Sequence, residues 1–76
     1  MSLAPYRPSY VAYRYYDATL DREAERLSMP DPHGREFFAT IEVVDAPSYR
    51  RNKAKALEQI LDAILEGAEP GEVKIR

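Results

Sequence analysis

Ser48–Gly67, SYRRNKAKALEQILDAILEG, is the stretch whose reading decides the fold. Leu57, Ile60, Leu61, Ile64, Leu65 and Ala68 recur at helical spacing and make one continuous apolar stripe. Ser48 stands where a helix needs a side-chain acceptor, and Gly67 where the chain must turn left-handed to leave it. The helix is reversed in charge. Arg50, Arg51, Lys53 and Lys55 open it without an acid, and Glu58, Asp62 and Glu66 close it without a base. The aligned peptide dipoles favour the opposite order, so each end forfeits about 0.3–1 kcal/mol at low salt. Groups outside the helix are expected to compensate.

Upstream, Arg35–Asp45 alternates at period 2. Phe37, Ala39, Ile41 and Val43 share a wholly apolar face, which predicts a strand against the core. Phe38 and Val44 on the other face suggest that it too is partly covered. Tyr10–Tyr16 has the aromatic density of a strand, with Val11, Tyr13 and Tyr15 as the expected core face. Between the two, Leu20, Ala24 and Leu27 fall at i, i+4 and i+7. This predicts a short helix over 18–28, capped by Asp17. Met29–Gly34 holds Pro30, Pro32 and Gly34 and reads as a loop. After a Pro70-Gly71 turn, Glu72–Arg76 alternates with Val73 and Ile75 inward, a short charged edge strand. Residues 1–9, with Pro5 and Pro8, read as an extended arm. The expected fold is therefore a single small α+β domain over 10–76 in β-α-β-α-β order. It would have about three strands, with the long helix across the sheet.

Size and composition bound what such a domain does. A 76-residue chain buries only about 60% of the surface its unfolded form exposes, so its core is marginal and oligomerisation is a common remedy. Without cysteine it has no disulfide, and with a single histidine, His33, it has no ligand set for structural zinc. Eleven bases against thirteen acids give a net charge of −2, far from the strong basicity usual in nucleic-acid binders. No apolar run reaches the roughly 20 residues of a membrane span, and the N-terminus lacks the apolar region of a signal peptide. The expected location is the cytoplasm.

Three constellations of side chains bear on function. On a helical wheel Arg51, Lys55, Glu58, Asp62 and Glu66 make a charged stripe, and Asn52, Ala56, Gln59 and Ala63 a small or uncharged one. Two antiparallel copies of the helix would set each basic half against the other's acidic half in a two-fold dimer. Arg51, Lys55, Glu58 and Asp62 would fix its orientation, and Ala56 and Ala63 would allow close approach, with Gln59 beside them in the interface. The plainer alternative is that the small stripe packs on the chain's own short helix or faces water. The second constellation is Arg50, Arg51, Lys53 and Lys55, with Tyr13, Arg14 and Tyr15 as stacking and phosphate-binding groups for a nucleic acid. The third is His33 beside Asp31, a pH-responsive pair if the carboxylate raises the imidazole. No nucleophile turn, glycine-rich phosphate loop or paired catalytic carboxylates accompany it, so the chain is read as non-catalytic and without a cofactor.

The spacing His33-x-x-x-Phe37-x-x-x-Ile41-x-Val43, with a helix opening on Arg and Lys, resembles double-stranded RNA-binding domains. The connection from Val43 to Arg50 leaves no room for the strand that precedes the basic helix in that family. Glu58 and Gln59 replace its small-residue pair. No function is carried over. The sequence favours a self-associating interaction or assembly module, with a small nucleic-acid-binding domain as the alternative.

Overall fold

The structure, a computed structural model, describes residues 9–76, so the arm read into residues 1–9 lies outside the described residues except for Ser9. The element order is β1 (Val11–Asp17), β2 (Arg22–Pro30), β3 (Glu36–Glu42), α1 (Ala46–Glu66) and β4 (Gly71–Glu72). The strands form one sheet in the order β1-β2-β3-β4. The first three are antiparallel neighbours, and β4 is parallel to β3 after the helical crossover. The molecule is an α+β domain with its helix on one side of the sheet.

The short helix expected over 18–28 is absent, and most of that span is β2. The apolar spacing that suggested a helix does not hold one face of the strand, since Ala24 and Leu27 fall on opposite sides of it, and the turn chemistry decides. The Asp17 carboxylate accepts from the Thr19 and Leu20 amides at 3.0 and 3.3 Å, capping a turn rather than a helix. Asp21 then takes a positive φ of 52°, which aspartate tolerates, and returns the chain antiparallel to β1. Leu20, assigned to a core stripe, is exposed in this turn.

The long helix begins earlier than expected. Asp45 rather than Ser48 is the N-cap. Its carboxylate accepts from the Ser48 amide at 2.9 Å and the Ser48 hydroxyl at 3.2 Å, and Pro47, which has no amide hydrogen to leave orphaned, fits the first turn. Gly67 ends the helix at φ 77°, as expected, with the Ala68 amide returning to the Ala63 carbonyl at 3.0 Å.

The core lies between α1 and the helix-facing side of β2 and β3. Phe37, Ala39 and Ile41 are buried as the alternation required, with Leu27 and Met29 from β2 and Ala56, Ile60 and Ile64 from the helix. Val73 and Ile75 pack against the same cluster, and the Val73 amide extends the β3–β4 pairing to the Phe38 carbonyl at 2.7 Å. Gln59 closes this edge. Its side-chain amide donates to the Arg76 carbonyl at 3.1 Å and accepts from the Arg76 amide at 2.9 Å.

β1 is turned over relative to expectation. Register pairs Ala12 with Leu27 and Arg14 with Glu25, so these residues share the helix-facing side. Val11, Tyr13 and Tyr15 fall on the opposite side, and Val11 and Tyr13 are 67% and 64% exposed. A four-stranded sheet with one helix explains this: α1 lies over β3 and β2 and, among the described residues, does not reach the β1 backbone.

Candidate interaction surface

Two surfaces meet at β1, one on each side of the sheet. On the helix side, β2 places Glu25 under the start of α1, where it is almost wholly buried. A carboxylate in such a place needs partners. The Tyr49 hydroxyl lies 2.8 and 3.0 Å from its two oxygens, Lys53 Nζ is 3.5 Å away and Arg14 Nη2 3.7 Å. Lys53 also donates to the Tyr49 phenol oxygen at 3.1 Å, and the Arg14 guanidinium lies 5.1 Å from the centre of the Tyr49 ring. The Tyr49 hydrogen bond, with the Glu25 charge behind it, holds the Lys53 ammonium above its usual pKa against the opposing effect of desolvation. This cluster pins the helix start to the sheet. It also answers half of the reversed charge pattern, because Lys53 finds its counter-ion in β2. Asp45 supplies the negative charge that the first turn lacks.

On the other side of the sheet nothing in the described chain covers the strands. Tyr13 and Tyr15 stack with ring centres 6.1 Å apart and 19° between planes, and Arg26 lies 3.8 Å above the centre of Phe38. A shallow hollow of about 380 Å³ lies among Val11, Tyr13, Arg26, Ser28 and Glu36. The charges on this face are largely neutralised within it: Arg22 bonds Glu42 at 3.0 Å, and Arg26 bonds Glu36. The face is therefore aromatic and close to neutral.

The residues singled out from sequence are divided by this architecture. Ala56 is fully buried against the sheet, so it belongs to the chain's own core and offers no close approach to a second helix. Gln59 is committed to Arg76, and Ala63 packs on the core. Arg51, Lys55, Glu58 and Asp62 are exposed. The nucleic-acid set is split: Tyr13 and Tyr15 lie on the open face, while Arg14 and Lys53 are drawn into the Glu25 cluster behind it. Arg50, Arg51 and Lys55 are exposed on the helix. His33 is exposed, and Asp31 meets it through the backbone amide at 2.9 Å. The second Asp31 oxygen accepts from Arg35 Nε at 2.7 Å, so this carboxylate serves the β2–β3 turn.

The exposed aromatic side of β1 is not legible from hydrophobic alternation alone. The available signal was the pairing of Arg14 with Glu25 across a hairpin, which would have put Arg14 and not Tyr13 on the helix side. Among the described residues no group of three His, Cys, Asp or Glu side chains is placed to hold a metal, and no helix is long and apolar enough to cross a membrane. Fold and surface together define a small α+β domain with a one-sided sheet. No family model, characterised protein or solved structure matches the chain.

Proposed function

We propose that this protein is a non-catalytic interaction module that works by self-association. The observation that carries this reading is the uncovered aromatic sheet face, where Val11 and Tyr13 stay about two-thirds exposed beside Tyr15 and Phe38. Exposed aromatic area of this kind marks contact surfaces. The small core adds a second reason. Two of its buried residues, Ala39 and Ala56, contribute little apolar area, so burial against another copy offsets a real deficit. A self-contact also suits the charges, because the ion pairs within the open face leave little repulsion between two copies.

The helix seam is a poorer route, since its small residues are already used internally. Binding of a nucleic acid finds less support than self-association, because the tyrosines and the basic helix start face opposite sides of the sheet. The test is the solution mass from light scattering across a concentration and salt series. A dimer that persists in high salt is expected from an apolar contact. A strict monomer at millimolar concentration removes the proposal, and a dimer that dissociates in salt moves the contact to the charged helix stripe.

A further inference from the structure

We infer that two copies of this chain join through their β1 edges, antiparallel about a two-fold axis at Tyr13, into one continuous eight-stranded sheet. This deepens the self-association reading and rests on it.

The two edges of the sheet differ. β4 has two residues and is followed by a segment tied to Gln59 and flanked by Glu72, Lys74 and Arg76. β1 has seven residues, pairs with β2 at seven successive positions without a bulge, and is unpaired by any described strand on its other side. Its span holds no proline, glycine or lysine. Edges are ordinarily guarded by such residues. Arg14 is the one cation in the strand, and it is drawn back over Tyr49 towards Glu25. Asp17, at the far end, is occupied by the turn amides. The devices that keep a strand edge solitary are therefore missing or turned aside.

Symmetry then selects the register. A two-fold axis normal to the sheet makes β1 antiparallel to itself and keeps both helices on the same side. An axis at Arg14 sets two guanidinium groups opposite each other, which is unfavourable. An axis at Ala12 leaves Tyr16 without a partner in the strand. An axis at Tyr13 uses the whole Tyr10–Tyr16 span. It pairs Tyr13 with its own copy and Val11 with Tyr15 on the open face, and Tyr10 with Tyr16 and Ala12 with Arg14 on the helix side. Aromatic and aromatic–aliphatic cross-strand pairs of this type are the favourable ones. On the open face the Val11, Tyr13 and Tyr15 side chains of the two copies then cover one another across the seam, which supplies the apolar contact of the self-association reading.

The absence of cysteine makes the register directly measurable, because any introduced thiol is unique. Residues directly opposite in an antiparallel pair have Cα atoms about 4.5–5.5 Å apart, within disulfide range. Tyr13→Cys alone is expected to cross-link into a covalent dimer under mild oxidation. Val11→Cys alone and Tyr15→Cys alone are expected to stay uncross-linked, while an equimolar mixture of the two yields the mixed dimer. Lys55→Cys reports on the helix seam and is expected to stay monomeric on a non-reducing gel. All four positions are exposed or half-exposed, and each variant's mass by light scattering is compared with that of the unaltered chain. A dimer in scattering whose Tyr13→Cys fails to cross-link, or whose Lys55→Cys does so instead, overturns the edge pairing and leaves self-association standing. A monomeric unaltered chain overturns both.

Discussion

At the scale of single residues, Tyr49 carries more weight than its place in the first turn of the helix suggests. Its hydroxyl is the group within hydrogen-bonding distance of both Glu25 oxygens, and it also receives the Lys53 ammonium. Removing that hydroxyl leaves a nearly buried carboxylate with two cations at 3.5 and 3.7 Å, beyond good hydrogen-bonding distance. A buried acceptor that loses its donor costs about 1–3 kcal/mol. Tyr49→Phe is therefore expected to lower unfolding stability by that amount in urea titrations, with an unchanged m-value because the ring stays in place. Lys53→Met should cost less, since Tyr49 continues to donate to Glu25. Equal losses in the two variants would mean that the ion pair, and not the phenol, holds the helix start.

At the scale of elements, the β2–β3 turn is built on one carboxylate. Asp31 Oδ1 accepts from the His33 and Arg35 amides at 2.9 and 2.7 Å, Oδ2 accepts from Arg35 Nε at 2.7 Å, and Gly34 supplies the φ of 81° that closes the turn. Burial alone would raise the Asp31 pKa, but the hydrogen bonds from Arg35 and His33 outweigh it and hold the carboxyl below its ordinary value. A lowered folded pKa gives stability that is present above the unfolded value of about 3.9 and is lost as pH falls through the folded one. Thermal melts should therefore fall steeply below about pH 4. Asp31→Asn should be less stable at pH 7 and converge on the unaltered chain towards pH 2. Parallel curves would show that Asp31 is not the group that titrates. The same turn shows what was readable in the chain. Pro32 and Gly34 announced the turn, and Phe37, Ala39 and Ile41 the strand after it, because both signals are local. The loop expected over Met29–Gly34 opens only after Pro30, since Met29 and Pro30 belong to β2. The inward alternation of Val73 and Ile75 and the glycine stop at Gly67 were equally local, although the strand expected over Glu72–Arg76 is confined to Gly71–Glu72. The span 18–28 failed because three apolar residues are too few to fix a period, and in β2 Ala24 and Leu27 lie on opposite faces. The choice was made by Asp17 and Asp21, whose turn geometry depends on β1 already being beside β2. The inside face of β1 failed for a related reason. Hydrophobicity named Val11, Tyr13 and Tyr15, but the width of one helix decides how many strands are covered, and that is a property of the assembled layers. Ala56 and Gln59 were misread in the same way: a small residue and a neutral one suit a partner's approach, and equally suit the chain's own sheet and C-terminal segment.

At the scale of the whole molecule, stability and association become one quantity. A chain of 76 residues has about 4–11 kcal/mol of folding free energy to lose, and its core leans on Phe37, Leu27 and Ile60 as the large fully buried side chains. Phe37→Ala alone removes about 3–5 kcal/mol. Any contact made by the folded state and not by the unfolded one adds to this total by mass action, and the addition grows with protein concentration. For a folded dimer that dissociates as it unfolds, each tenfold rise in concentration contributes about 1.4 kcal/mol per dimer. Spread over two chains, this raises the melting temperature by about 3–5 °C. A monomer shows no such rise. Tyr13→Lys separates the contact from the fold, because Tyr13 is 64% exposed and its replacement leaves the core untouched. Two lysines opposite each other at the two-fold axis repel, so this variant should melt at a temperature independent of concentration and near that of the dilute unaltered chain. A variant that keeps the concentration dependence would move the contact away from the centre of β1. One that melts far below the dilute unaltered chain would show that Tyr13 stabilises the monomer itself.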